Sequence, residues 1–208
     1  ALILLAVGLC AISPEFRQVS NLLNLLRQAA FNGLIAIGMT CVILSDGIDL
    51  SVGAVVGLAG MIAGGLLQNG LTLNMFGVTV YFSVPLVALI TVLIGALVGV
   101  VNGLIITRFN VAPFIATLGT MYVCRGFANL HSKGATCSQL KGHEALGNQG
   151  FEFFGSSIAG IPVGLIILAI MAVIFEIILK KTAFGWHVFS IGGNEKAAKL
   201  SGVKVDKV

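Results

Sequence analysis

The sequence predicts an all-α protein, a polytopic bundle of transmembrane helices, and three observations carry that expectation. Of the 208 residues, 57% are hydrophobic and only 10% are charged, against about 25% charged in soluble domains. The mean hydropathy is +1.05, which leaves too little polar surface to dissolve the chain. Apolar runs alternate with short polar breaks, and 27 glycines recur at helical spacings, as close helix packing in lipid favours. The formal charge of +4 is small and unevenly placed, which argues against a nucleic-acid partner. Cys10, Cys41, Cys124 and Cys137 lack metal-ligand spacing, so neither a disulfide framework nor a metal site is expected.

Residues 1–12 are apolar but shorter than the roughly 20 residues a span requires. They read as the end of a first span that begins before this chain does. Pro14, with Glu15 and Arg17, closes it. The second span, Val19–Leu44, carries the amides Asn21, Asn24, Gln28 and Asn32 at helical spacing on one face. Such a stripe serves either interhelical hydrogen bonding or the wall of a polar pathway. Span three covers residues 51–67, with Gly53, Gly57, Gly60 and Gly64 forming a stripe that a neighbouring backbone can approach. A weaker segment, 71–82, follows. Span four covers residues 84–107 and has its own stripe, Gly95, Gly99 and Gly103, with Asn102 beside it. The expectation there is tight packing, with Asn102 as a ligand group the alternative. Span five covers residues 111–128 and contains Thr117 and Thr120.

Residues 129–160 form the longest stretch before the last span. They are mixed in character, with Lys133, Lys141, Glu144 and Glu152, and read as a structured external loop with no element assigned. Residues 161–179 are the clearest span. Lys180, Lys181, Lys196, Lys199, Lys204 and Lys207 then place residues 180–208 in the cytoplasm. Counting back, 129–160 lies outside, and the joint between spans two and three lies on the cytoplasmic side. That joint contains Asp46, Gly47, Asp49, Ser51 and Gly53. Asp49 with Ser51 is expected to cap the start of span three.

The cytoplasmic stretch has a readable local order. Gly192-Gly193 gives the chain freedom to turn. Asn194 is an N-cap, Glu195–Leu200 a short helix, and Gly202 its stop. Glu195 and Lys199 pair four residues apart, while Ala197 and Ala198 leave low relief for docking.

Several of these segments together resemble one family. They are Gly38-Met39-Thr40, the run Gly47-Ile48-Asp49-Leu50-Ser51-Val52-Gly53, and Pro113-Phe114-Ile115-Ala116-Thr117-Leu118-Gly119-Thr120. With them go Phe184-Gly185, Ile191-Gly192-Gly193-Asn194-Glu195 and Ala197-Ala198-Lys199-Leu200-Ser201-Gly202-Val203. Nearly the whole chain is similar to sugar permeases of the ribose/galactose class of bacterial ABC importers. Position 46 is Asp where that family commonly has glycine or a small residue.

The resemblance implies a single transmembrane permease domain over residues 1–208, with about six spans or span remnants and a C-terminal part beyond this chain. It implies a bacterial inner-membrane subunit that forms the translocation path for a monosaccharide and performs no covalent chemistry. Its expected partners are a second permease subunit, a periplasmic sugar-binding protein and a cytoplasmic ATPase that uses ATP-Mg. No cofactor is expected on this chain, which has no Gly-x-x-x-x-Gly-Lys-Ser/Thr loop. Asn21, Asn24, Gln28, Asn32, Thr117 and Thr120 are the candidates for the substrate path. Gly192, Gly193, Asn194, Glu195, Ala197, Ala198 and Gly202 are the candidates for ATPase coupling. The alternative is an ion-coupled secondary transporter that uses Asp46 and Asp49 as carboxylate relay or cation ligands. The particular sugar is not legible.

Overall fold

The computed structural model describes residues 2–73, 75, 77–137, 140, 142 and 146–207. Eight helices account for most of these residues. They are α1 (Leu2–Ile12), α2 (Val19–Leu44), α3 (Val52–Gln68), α4 (Val84–Phe109), α5 (Pro113–Ser132), α6 (Val163–Lys181), α7 (Ala183–Gly193) and α8 (Glu195–Leu200). Short 3-10 turns at Glu15–Arg17, Phe151–Gly155 and Val205–Lys207 join or end them. The helix ends follow local chemistry. Pro85 and Pro113 lie in first turns, where a missing N–H costs nothing. Asn110 and Lys133 close α4 and α5 in left-handed conformations.

Among the described residues, α2, α4 and α6 are long and apolar enough to cross a membrane, and shorter apolar helices stand at residues 3–12 and at α3. The 17 residues of α3 give about 26 Å, short of the ~30 Å hydrocarbon core. Thr117, Thr120, Arg125, Asn129 and His131 dilute the apolar character of α5. Residues 71–82 do not extend as a span. Instead β1 (Leu71–Leu73) pairs antiparallel with β2 (Val78–Val80), Leu71 opposite Val80, because Gly70 and Gly77 take positive φ and Thr72, Val78, Thr79 and Val80 are β-branched. Within 129–160, α5 runs on to Ser132, and β3 (Ser157–Ile158) pairs with β4 (Ile161–Pro162). Lys141 and Glu144 lie outside the described residues.

The helices pack in two groups. In one, α3 lies between α4 and α5, and Ala54, Leu58 and Cys124 form a core with Val55, Ile62, Val98 and Met121 around it. In the other, α2 lies along α6. Ala30, 1% exposed, faces Gly164, where an added Cβ would lie 3.6 Å from the Ala30 Cβ. A Cβ on Gly33 would come within 2.8 Å of Leu168 Cδ2, so the α2 backbone lies directly under that side chain. The outer surfaces remain apolar, with Leu89, Val92, Leu93 and Leu97 of α4 exposed, as lipid contact requires.

The two ends of the bundle differ. One end gathers the 45–51 turn, the α4–α5 connection and the α7–α8 segment. The other carries a cap, where Cys137 meets Gly64, His131 meets Gly65, and the buried Asn148 donates from Nδ2 to the Leu67 carbonyl at 2.9 Å. The glycine stripes are otherwise not used as expected. Nothing lies within 4 Å of a Cβ built on Gly53, Gly57, Gly60, Gly99 or Gly103, and Gly95 meets only Val55 at 3.9 Å. The neighbours of α3 within this chain contact other faces of that helix.

Ala30→Leu adds three carbons on the side facing Gly164. It is expected to destabilise the α2–α6 pair by about 1–3 kcal/mol, read as a lowered thermal midpoint in detergent. An unchanged midpoint would mean that these helices do not rely on close approach.

Candidate functional site

The site is built from the joint between α2 and α3. The end of α2 is closed by two backbone bonds, Asp46 N–H to Ile43 O at 3.0 Å and Gly47 N–H to Val42 O at 2.9 Å. This is the Schellman arrangement, with Asp46 at the left-handed position, φ 61°. The exposed Asp46 therefore holds a conformational post that glycine usually fills, and its carboxylate accepts no hydrogen bond among the described residues.

Asp49 is employed differently. Its Oδ1 accepts the backbone N–H of Ser51 at 2.7 Å and the Ser51 hydroxyl at 2.6 Å. Ser51 Oγ in turn accepts from Asn102 Nδ2 at 3.1 Å, and Asn102 Oδ1 accepts from the Thr120 hydroxyl at 2.6 Å. A directed chain thus runs from α5 through α4 to the joint, each donor pointing toward the carboxylate, the arrangement in which hydrogen bonds reinforce one another. Ser51 and Asn102 are 1% and 5% exposed. Thr117, 2% exposed, adds a second tie: its Oγ1 accepts the Leu50 N–H at 3.2 Å and donates to the Pro113 carbonyl at 2.8 Å.

This corrects one expectation. Ser51 makes no side-chain cap on α3, because its hydroxyl is taken up by Asp49 and Asn102. Thr117 ties the joint to α5, while the half-buried Thr120 bonds Asn102 of α4 and also lines an apolar groove between α4 and α5. Asn102, read from sequence as part of a packing stripe with a ligand role as the alternative, is the central member of the chain. Gly47 is tightly placed, with a Cβ there lying 3.2 Å from Val42 O, while Gly53 faces open space.

Beside the joint a groove of roughly 490 Å³ opens between α2 and α3, lined by Phe31, Ile35, Met39, Val42, Asp49 and Val56 among others. The amide stripe continues the same side of α2 toward its N-terminus. With one residue every ~100° of a helix, Asn21, Asn24, Gln28 and Asn32 fall on the side away from Ala30 and Gly33. Asn24, Gln28 and Asn32 are exposed. Asn21 Nδ2 donates to the Phe16 carbonyl at 3.0 Å, and Asn24 Oδ1 accepts from Arg27 at 2.9 Å. No described contact joins the stripe to another span, so within this chain it does not glue helices together.

At the same end as the joint, α8 forms over the expected residues. Asn194 Oδ1 accepts the Ala197 N–H at 3.0 Å. Gly202, at φ 89°, completes a Schellman stop through Gly202 N–H to Lys199 O and Val203 N–H to Ala198 O, both 3.1 Å. Lys199 Nζ meets Glu195 Oε1 at 2.6 Å, and this carboxylate raises the Lys199 ammonium above its ordinary value. Three details differ from expectation. Gly192 and Gly193 end α7 as helix rather than making a turn. Ala198 is turned inward and buried, leaving Ala197 exposed. Leu200, which the sequence reading did not single out, is 91% exposed; the signal for it was a large apolar residue in a lysine-rich stretch.

A family model described as branched-chain amino acid transport system / permease component matches residues 21–208. The chain is 43% identical over 209 aligned residues to the ribose import permease protein RbsC of Bacillus subtilis, covering 100% of this chain and 60% of that protein. It is 40% identical to the galactose/methyl galactoside import permease protein MglC of Escherichia coli, covering 98% of this chain and 61% of that one. Against RbsC of Escherichia coli the identity is 34%, with 100% and 61% covered. The chain thus spans about three fifths of the length of the curated relatives it matches. No solved structure gives a significant match.

Asn102→Ala removes one acceptor and one donor from a buried chain and is expected to cost about 1–3 kcal/mol. Combined with Thr120→Val it should cost less than the sum of the two single changes, by about 0.5 kcal/mol or more. Unfolding of the four proteins in detergent measures this. Strictly additive losses would show that the Asn102–Thr120 bond does not operate.

Proposed function

The chain belongs to the branched-chain amino acid transport system / permease component family, and on that premise we propose that it is the membrane permease subunit of an ATP-driven importer of a monosaccharide of the ribose or galactose kind. The match of essentially the whole chain to ribose and galactose import permeases carries this function. The protein is a multi-pass subunit of a bacterial inner membrane. It pairs with a second permease subunit across the path and receives sugar from a periplasmic binding protein. It catalyses no bond-making step and binds no cofactor; ATP-Mg is bound and hydrolysed by the cytoplasmic ATPase.

Two features of the geometry support this division of labour. The first is α8, a helix too short to persist alone but held by a cap at each end. Its exposed Ala197 and Leu200 give an apolar contact that fits a cleft on the ATPase, flanked by the Glu195–Lys199 pair. The second is the exposed amide stripe. Monosaccharides offer many hydroxyls and little apolar area, so amides are the fitting side chains. The stripe also lies on the side of α2 that α6 leaves open. Sugar recognition therefore falls to Asn24, Gln28 and Asn32, with Asn21 partly engaged at the helix start. Ion coupling through the two carboxylates gains no support: Asp46 serves a helix end, and Asp49 Oδ1 is bonded to Ser51.

The test is uptake of labelled ribose, galactose and xylose by proteoliposomes holding the full-length permease, its ATPase and its binding protein. Uptake of one sugar that requires both ATP and the binding protein is expected; uptake by the permease alone, driven by a proton or sodium gradient, would sink the importer function. Alanine at Asn24, Gln28 or Asn32 should lower uptake by about fivefold each, the worth of one hydrogen bond, with normal membrane levels. Unchanged uptake in the triple variant removes the stripe from the path.

Gly202→Val places a β-branched residue at φ 89° and undoes the stop of α8. Co-purification of the ATPase with this variant should fall by about tenfold, as expected for a helix-end disruption worth 1–2 kcal/mol. Wild-type recovery of the ATPase would exclude α8 from docking.

A further inference from the structure

The coupling segment approaches the end of α2 through backbone at Gly192. Gly192, the next-to-last residue of α7, lies so close to the end of α2 that a Cβ built on it would collide with the Leu44 carbonyl oxygen and stand 3.6 Å from Ser45 Cα. The hydrogen that replaces that Cβ points at the oxygen, the arrangement of a Cα–H···O contact between helices. Gly185 makes the corresponding approach to the Leu179 carbonyl at the end of α6. The two glycines are seven residues apart and share one face of α7, with the buried Val188 between them. So α7 rests on the ends of α6 and α2 at once.

On either side of this contact the structure is stiff. Asn194 alone separates α7 from α8, and its side chain is fixed in the α8 cap. Beyond Leu44 and Ser45 comes the tight Asp46–Gly47 closure, then Asp49, Leu50 and Ser51, which are tied to α4 and α5 through Asn102, Thr120 and Thr117. Of the two covalent links between the helical groups, residues 45–51 and residues 133–162, the 45–51 turn is the shorter, and Asp49 lines the groove that separates α2 from α3.

Resting on the permease function above, we propose that the Gly192–Leu44 backbone contact is where movement of the docking helix enters the membrane part of the protein. Displacement of α8 carries α7 with it. Through Gly192, α7 shifts the end of α2 and the 45–51 turn. The Asp49–Ser51–Asn102–Thr120 chain then distributes that shift to α4 and α5, so the α2–α3 groove changes width with the nucleotide state of the ATPase. Gly192 is thus a positioning residue for coupling and touches no substrate.

The experiment uses the full-length permease with its ATPase and binding protein in liposomes, and compares Gly192→Ala with Ser190→Ala. The second is the control, since Ser190 is an exposed residue of the same helix whose hydroxyl donates back to the Trp186 carbonyl. Ser190→Ala is expected to transport as the wild type does. Gly192→Ala should still co-purify with the ATPase and hydrolyse ATP, while sugar stimulation of hydrolysis and uptake each fall by about tenfold, a size typical of coupling between separate sites.

Hydrogen exchange of the wild-type complex gives an arm that needs no variant: amides of 45–51 should change protection between the nucleotide-free and ATP-bound states. Wild-type coupling in Gly192→Ala would overturn the proposal. So would 45–51 amides that exchange alike in all nucleotide states, even where Gly192→Ala fails to assemble. A wild-type protein that binds no ATPase at all overturns the permease function and this proposal together, whereas an assembled, transporting complex indifferent to Gly192 overturns this proposal alone.

Discussion

A polar group among apolar helices in lipid has no water to fall back on, so it must find a partner in the protein or cost several kcal/mol. The 48–51 segment puts several such groups together: backbone N–H groups that have left one helix before the next has begun, a serine hydroxyl and a carboxylate. Asn102 resolves much of this because an amide both donates and accepts, taking the Thr120 proton on one side and giving its own to Ser51 on the other. Thr117 deals with Leu50. No buried side-chain polar atom is left without a partner among the described residues. The chain can therefore change direction beside three apolar helices, and the positions of α3, α4 and α5 relative to one another follow from that requirement.

What the sequence made legible divides along the range of the interactions. The bounds of α2 and α8 were readable because their signals are local: a polar break before Val19 and a carboxylate turn after Leu44 in one case, Asn194 and Gly202 in the other. The family was readable from motif combination. The partners of Asn102 were not readable. Ser51 lies 51 residues away in the chain, and only folding brings it alongside. The partners of Thr117 and Thr120 were hidden for a related reason. A hydroxyl inside a span signals polar need, but spacing does not say whether a ligand or a stray backbone N–H meets it. The glycine stripes show the same limit, because periodicity tells which residues share a face and nothing about what stands opposite. Short hairpins such as 71–73 with 78–80 escaped because a few β-branched residues beside glycines compete with an equally apolar helix pattern.

The division of the bundle into two helical groups gives the joint its importance. Within each group, side chains interlock over the length of the helices, as Ala30 does with α6 and Leu58 with α4 and α5. Between α2 and α3 there is a groove instead, with apolar walls and a carboxylate at one end. Close-packed groups move as bodies more readily than they deform, so the cheapest motion open to this chain is a change in how the two groups sit about the 45–51 turn. The hydrogen-bond chain holds one side of that turn to α4 and α5, and α7 bears on the other.

The approach of Gly192 to the Leu44 carbonyl has a consequence for the history of such sequences. A contact between two side chains can be repaired: when one grows, the other shrinks, and the pair leaves a correlated record. Here one participant is a backbone oxygen and the other a missing side chain. Whatever residue stands at position 44 presents the same oxygen, so no compensating change exists. Position 192 is then expected to be invariant without a covarying partner, while position 44 drifts among apolar residues and position 193, one step along, is free to accept alanine or serine. Methods that infer contacts from correlated substitution are blind to an interaction of this kind, and the only trace it leaves in a lineage is a glycine that never changes.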